Sequence, residues 1–177
     1  MSYCDYVNNN PSELPDYLLH KHYHDHQYGF KIDDDDELFG RLILEINQAG
    51  LSWTLMLRKQ EGFRKAYSNF SIEKIAAYTE KDRERLLQDP GIIRNRLKIN
   101  AAIVNAQKIV ELKKEYGSFK NWLDANYPLT INDWLKLFKK NFKFVGGEIV
   151  NEFLMSTGYL PGAHSIGCPV YLKVTVN

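Results

Sequence analysis

The sequence predicts an all-α protein, with a single helical domain over residues 1–168 and a short tail over 169–177. Three observations lead there. Apolar residues recur at three- and four-residue spacing along most of the chain. Ser, Thr and Asp stand before several of those segments and Gly stands after them. Period-two alternation is confined to the tail, where Val170, Leu172, Val174 and Val176 read as a strand or a loose end. A chain of 177 residues with 44% apolar residues is long enough for one real core and short for two.

Taken in order, Asp34-Asp35-Asp36-Glu37 has the form of an N-cap and acidic first turn, with Asp34 and Glu37 at capping-box spacing. Leu38, Phe39, Leu42, Ile43 and Ile46 then keep helical spacing up to Gly50. A second helix starts near Trp53 and carries Met56, Phe63 and Tyr67. Ser71 and Thr79 are N-caps for two short helices, the second holding Leu86 and Leu87. Ile99, Ile103, Ala106 and Val110 form one stripe of a long helix that Gly117 ends. Thr130 opens another, with Ile131, Trp134, Leu135 and Phe138 on it and Asp133 placed to complete a capping box. The last helix runs from Glu148 to Thr157, stopped by Gly158.

Bulk properties exclude some classes. The formal net charge is +1, so any nucleic-acid binding must rest on a local basic patch. No apolar run approaches the ~20 residues of a membrane span. No apolar leader follows Met1, which predicts a cytoplasmic, reducing setting.

Two cysteines, Cys4 and Cys168, sit near opposite ends, each with histidines at hand: His24 in Tyr23-His24-Asp25, and His164 four residues before Cys168. One Cys and one His from each end make a thiolate–imidazole set of the kind tetrahedral zinc takes. Four protein ligands would leave no open position, so such a metal would be structural and would clamp the termini. Spacing alone does not separate this from two buried thiols with exposed histidines. Either is favoured over a disulfide in a reducing compartment.

Glu45 falls about 100° from the centre of the apolar stripe of its helix, at the rim of the buried face. Three residues later the chain runs into Gln48-Ala49-Gly50-Leu51-Ser52-Trp53, where Gly50 breaks the helix, Ser52 caps the next and Leu51 is left at an exposed turn. The plain alternative is a helix hairpin with a surface Glu and a core Trp. Residues 89–98 (Asp89-Pro90-Gly91-Ile92-Ile93-Arg94-Asn95-Arg96-Leu97-Lys98) form a tight turn into the long helix. Backbone N–H groups at that turn, a helix N-terminus and the cations Arg94, Arg96 and Lys98 suit a phosphate, or else make an ordinary solvated αα turn. Lys139 to Gly147 mixes cations with Phe142 and Phe144, most simply a solvated face over two core rings.

Together these segments resemble the 3-methyladenine DNA glycosylase I family, a zinc-bearing branch of the helix-hairpin-helix DNA glycosylases. The resemblance is carried by Cys4, Tyr23-His24-Asp25 with Gly29, Glu45 with Gln48 to Trp53, and Gly91-Ile92-Ile93-Arg94 through Lys98-Ile99. It continues through Asn105-Ala106, Lys143 to Gly146, and His164-x-x-Gly167-Cys168, in the family's order.

The resemblance implies that Cys4, His24, His164 and Cys168 hold one structural zinc. It implies that Glu45 lies in the base pocket and hydrogen-bonds the adenine edge, with Tyr23 and Trp53 around the base. Tyr6 and Tyr28 stand in the same aromatic set, where the family commonly has Trp. Gln48, Gly50 and Leu51 match the loop that presses into DNA, and Gly91, Ile92, Arg94, Arg96 and Lys98 the hairpin that grips its backbone. The implied activity is hydrolysis of the N-glycosidic bond of 3-methyladenine in alkylated double-stranded DNA. The enzyme would be a monomer and monofunctional, since no hairpin lysine is placed as a Schiff-base nucleophile. The altered aromatics, a longer Cys4–Tyr23 stretch that leaves either His20 or Tyr17 to approach the pocket, and a shorter segment from Gly117 to Lys140 bear on pocket shape. They motivate two competing readings: a damaged-DNA binding module without catalysis, and a zinc-stapled helical protein with no DNA role.

Overall fold

The computed structural model describes residues 2–9 and 11–175, and the described residues form eleven α-helices and no strand. They are α1 (Tyr3–Asn9), α2 (Pro15–His26), α3 (Asp35–Gln48), α4 (Trp53–Ala66), α5 (Ile72–Ala76) and α6 (Glu80–Gln88). Then follow α7 (Arg96–Tyr116), α8 (Phe119–Asn126), α9 (Ile131–Asn141), α10 (Gly147–Ser156) and α11 (Tyr171–Thr175).

α3 is the axis of the molecule. Every residue from Leu38 to Asn47 is buried, and α4, α5, α7, α8 and α10 all pack on it. The acidic run that opens it caps three helices at once. Asp34 accepts from the Glu37 amide at 2.9 Å on α3 itself. Asp36 accepts from the Ile72 amide at 2.9 Å at the start of α5. Asp35 takes both the Phe119 and Lys120 amides at 2.9 Å at the start of α8. Charged acceptors on helix N-termini satisfy orphan donors and meet the positive dipole end, which explains four acidic residues crowded in one turn. The expected reciprocal bond from Glu37 does not form, because Glu37 pairs with Arg64 of α4 instead.

Ser52, Ser71 and Thr79 cap α4, α5 and α6 as their positions predict. α7 ends at Gly117 and Thr130 caps α9. Three departures stand out. α1, α2 and α8 are helices where no helical stripe was read. The tail is not a strand, because Tyr171–Thr175 is helical and Val170 is buried beside Cys4 and Cys168 (Val176 lies outside the described residues). Phe142 is core, whereas Phe144 is 40% exposed with φ +59°.

The turn between α6 and α7 is seated on α4. A Cβ on Gly62 would run into the carbonyl oxygen of Gly91, so glycine there permits the close backbone approach. Lys59 Nζ donates to Pro90 O at 2.8 Å, fixing the same contact.

Candidate active site

The inward faces of α1, α2, α3, α4 and α10 converge on a cavity of about 580 Å³, within the range of small-molecule sites. Glu45 and Gln48 enter it from α3, Tyr3 and Tyr6 from α1, His20 and Tyr23 from α2, and Trp53 and Thr54 from α4. Tyr28, just after α2, and Glu152 of α10 complete the lining. Glu45 is 4% exposed, deeper than the rim position its helix register implies. Helices packed on either side of α3 cover that rim, and the helical wheel of one helix cannot show them.

The rings are close. Tyr23 lies 5.2 Å from Trp53 and 5.6 Å from Tyr28, centroid to centroid. Tyr3 meets Tyr28 edge-on at 5.3 Å. Behind Tyr23 the buried Arg41 places its guanidinium 5.0 Å from the ring centroid and donates to the phenol oxygen at 3.3 Å. Burial pushes the Glu45 carboxyl up to about 8, opposed by Arg41 and reinforced by Glu152. At neutral pH Glu45 is therefore held largely protonated. The Trp53 indole N–H is buried with no acceptor among the described residues. His20 bridges α1 and α4: its Nδ1 meets the Tyr3 hydroxyl at 2.9 Å and its Nε2 meets Thr54 Oγ1 at 2.8 Å.

A second cluster lies beside this cavity. Cys4, His24, His164 and Cys168 are all buried, and one donor atom from each lies within 4.8 Å of all the others. The thiol–imidazole separations are 3.4–3.6 Å. Zn–S near 2.3 Å and Zn–N near 2.0–2.1 Å at tetrahedral angles require roughly 3.5 Å between S and N, so the four donors fit one zinc ion. The outward nitrogens are held too, His24 Nδ1 by Asp25 at 2.8 Å and His164 Nε2 by Tyr28 O at 2.7 Å. Such second bonds fix the tautomer and aim the ligating nitrogen. Both cysteines are free of disulfide.

The methyladenine glycosylase family model matches residues 15–134. DNA-3-methyladenine glycosylase 1 of Escherichia coli K12 is 35% identical over 97% of both chains. The Haemophilus influenzae DNA-3-methyladenine glycosylase is 32% identical, over 83% of this chain and 89% of its own. The chain belongs to the methyladenine glycosylase family. Solved structures agree. 3-Methyladenine DNA glycosylase I of Staphylococcus aureus superposes with a TM-score of 0.79 at 32% identity, covering 89% of this chain and 92% of that one. A tyrosine-to-phenylalanine variant of 3-methyladenine DNA glycosylase I in complex with 3-methyladenine gives 0.82 at 31% identity, covering 96% and 97%.

Within this methyladenine glycosylase fold the predicted site residues divide. Glu45, Tyr23, Trp53, Tyr28 and Tyr6 line one cavity, and Gln48 joins them. Gln48 also spans its own turn, donating from Nε2 to Leu51 O at 2.7 Å. Gly50 has φ +80° with open space where a Cβ would point, so it is the exposed tip, while Leu51 is half-buried and less prominent than predicted. Gly91, Ile92, Arg94 and Arg96 remain together at the α6–α7 turn. The Gly91 amide is not free, since Asp89 Oδ1 takes it at 2.7 Å, and Ile92 is buried. Arg96 pairs with Glu80 at 2.9 Å, both exposed, a contact weak enough to exchange for a phosphate. Arg94 is exposed with no side-chain partner among the described residues.

Lys98 contradicts its predicted role. It is 6% exposed, and its Nζ donates to Asn47 O at 2.9 Å and Ala49 O at 3.0 Å. The ammonium fastens α7 to the 48–51 turn and does not face solvent, because helix C-terminal carbonyls offer a closer anion-like partner than water. Of His20 and Tyr17, it is His20 that lines the cavity, while Tyr3, Thr54, Arg41 and Glu152 carry no signal in the sequence pattern alone. Tyr3–Tyr6 and His20–Tyr23 share a three-residue helical spacing that points to one face once α1 and α2 are seen as helices.

Proposed function

We propose that the protein is a DNA-3-methyladenine glycosylase of base-excision repair, acting on alkylated double-stranded DNA as a monomer. The observation that carries the reading is Glu45: a buried carboxyl in a cavity walled by Tyr23, Trp53 and Tyr28, opening beside the Gly50 turn. N3-methylation makes adenine a cation, so the base is already a good leaving group and no strong acid is needed to release it. The enzyme must extrude the base, hold it and refuse ordinary adenine.

The aromatic faces attract a cationic ring. Glu45 accepts from the exocyclic amine in either ionisation state, and a bound cation favours the ionised carboxylate, so charge attraction adds to the hydrogen bond that holds the methylated base. Gln48 and Gly50 form the tip placed to enter the stack from which the nucleotide leaves. Arg94, the exchangeable Arg96 and the first turn of α7 grip the phosphate backbone. Water then attacks C1′, and no lysine at the α6–α7 turn is placed to form a Schiff base.

One structural zinc would be held by the Cys4 and Cys168 thiolates, His24 Nε2 and His164 Nδ1, binding the first helix to the chain's last segments. A reducing, cytoplasmic setting suits that thiolate pair, and no helix among the described residues is long and apolar enough to cross a membrane. The test is single-turnover release from a methylated duplex, scoring which free base appears. Release of 3-methyladenine is expected. Duplex binding without any base release would support a damaged-DNA binding module instead.

A further inference from the structure

The base cavity contains a second carboxylate. Glu152 enters it from α10, half-buried, and shares the lining with Glu45 of α3. The Tyr28 hydroxyl donates to Glu152 Oε2 at 3.5 Å, which ties the carboxylate to the aromatic wall. The same side chain also lines the neighbouring cleft formed by Gln48, Ala49, Gly50 and the start of α10. It therefore stands at the threshold between the exposed turn and the deep part of the cavity, on the path of an entering base.

The two acids are not equivalent. Glu45 is buried and its carboxyl ionises only near 8, partly because Glu152 opposes it. When two nearby carboxyls compete, the better solvated one takes the charge first. Glu152, half-exposed and hydrogen-bonded by a phenol, is that one, although burial and Glu148 raise it as well. Glu152, the more exposed of the two, thus stands where the cavity meets the cleft beside the Gly50 turn, and Glu45 lies deeper. The buried guanidinium of Arg41 lies behind Tyr23 and makes no ion pair with either acid among the described residues.

We propose that Glu152 is a specificity-determining residue of this site, whose carboxylate at the cavity threshold favours purines carrying a delocalised positive charge over neutral purines of the same shape. The inference rests on the glycosylase reading and extends it. Glu45 reads the hydrogen-bonding edge of the base from inside the cavity, and Glu152 adds a second carboxylate that the base meets on entry. Ordinary adenine, being neutral, gains nothing from the second carboxylate and still leaves that group to be desolvated.

The test uses the full chain and two duplexes. One carries 3-methyladenine, read as single-turnover release. The other carries 3-deaza-3-methyladenine, a neutral isostere without the ring charge, read as equilibrium affinity. Glu152→Gln is expected to slow release from the first roughly 5- to 50-fold while changing affinity for the second less than twofold. Glu152→Asp, which keeps the charge, is expected to retain most of the release. Equal losses on both duplexes would reduce Glu152 to a packing role and overturn the proposal, as would unchanged release. Wild-type protein that releases no 3-methyladenine would sink the glycosylase reading and this inference with it, an outcome distinct from the other two.

Discussion

At the residue scale Glu45 has the most consequential environment in the molecule. A carboxyl raised from 4.5 to about 8 by burial costs stability whenever it is forced to ionise. Between those two values the folded chain keeps a proton that the unfolded chain has released. Stability therefore falls as pH rises across that window, by on the order of 1.4 kcal/mol per pH unit from this group. Urea unfolding of wild type and Glu45→Gln between pH 5 and pH 8 should show it as a difference. The variant is expected to be the more stable at pH 8, with the gap narrowing towards pH 5. A gap independent of pH would mean that Glu45 is not held protonated. Much of this was legible in sequence, since Glu45 sits beside the Gln48 to Trp53 turn and at the edge of an apolar stripe. Its depth was not, because what covers it comes from α2 and α10, far away in the chain.

At the scale of elements, the α6–α7 turn and the 48–51 turn form one coupled unit. Lys98 joins them through Asn47 O and Ala49 O, so the two loops predicted to touch DNA are mechanically linked. Arg94→Ala and Lys98→Ala should consequently behave differently. The first is expected to weaken binding to any duplex and to flatten the dependence of log K on log salt by about 1, with stability unchanged. The second removes a charged donor from two carbonyls and should cost ~1.5–3 kcal/mol in unfolding free energy, with the salt slope nearly intact. Equal salt effects in both would restore Lys98 to the phosphate interface. Spacing showed Lys98 as a cation near a turn, but only tertiary packing decides between a carbonyl and a phosphate as its partner. The same limit hid α2 and α8. The inward face of α2 is Tyr17, His20, Tyr23 and His24, which a search for apolar periodicity passes over. α8 is short, and Asp35 caps it from more than eighty residues away.

At the scale of the whole molecule, the ends of the chain are brought together at the Cys4, His24, His164 and Cys168 cluster. That cluster shares α1 and α2 with the wall of the cavity. Tyr3 lies beside Cys4 and Tyr23 beside His24, so whatever fixes the cluster also fixes two rings of the site. Metal analysis of protein purified without added zinc should give about one zinc per chain. Cys168→Ser should lower the zinc content and the Tm, roughly by 5–15 °C at 2–4 °C per kcal/mol for a chain of this size. Full thermal stability without zinc would leave the cluster as two buried thiols and two imidazoles. That these four side chains would cluster was legible from residue type and family resemblance. The neighbouring cavity wall was not, because α1 and α2 were not read as helices.

A methylated base seated against Glu45 is tested most directly by single-turnover release of 3-methyladenine by wild type and Glu45→Gln, with duplex affinity measured alongside. Glutamine keeps the size and an acceptor but removes the ionisable group. Release should fall 10- to 1000-fold, equivalent to roughly 1.4–4 kcal/mol of transition-state stabilisation. Duplex affinity should stay within about twofold, because Glu45 lies inside the cavity, away from any phosphate contact. Wild-type release rates in the glutamine variant would contradict the assignment of this cavity as the base pocket.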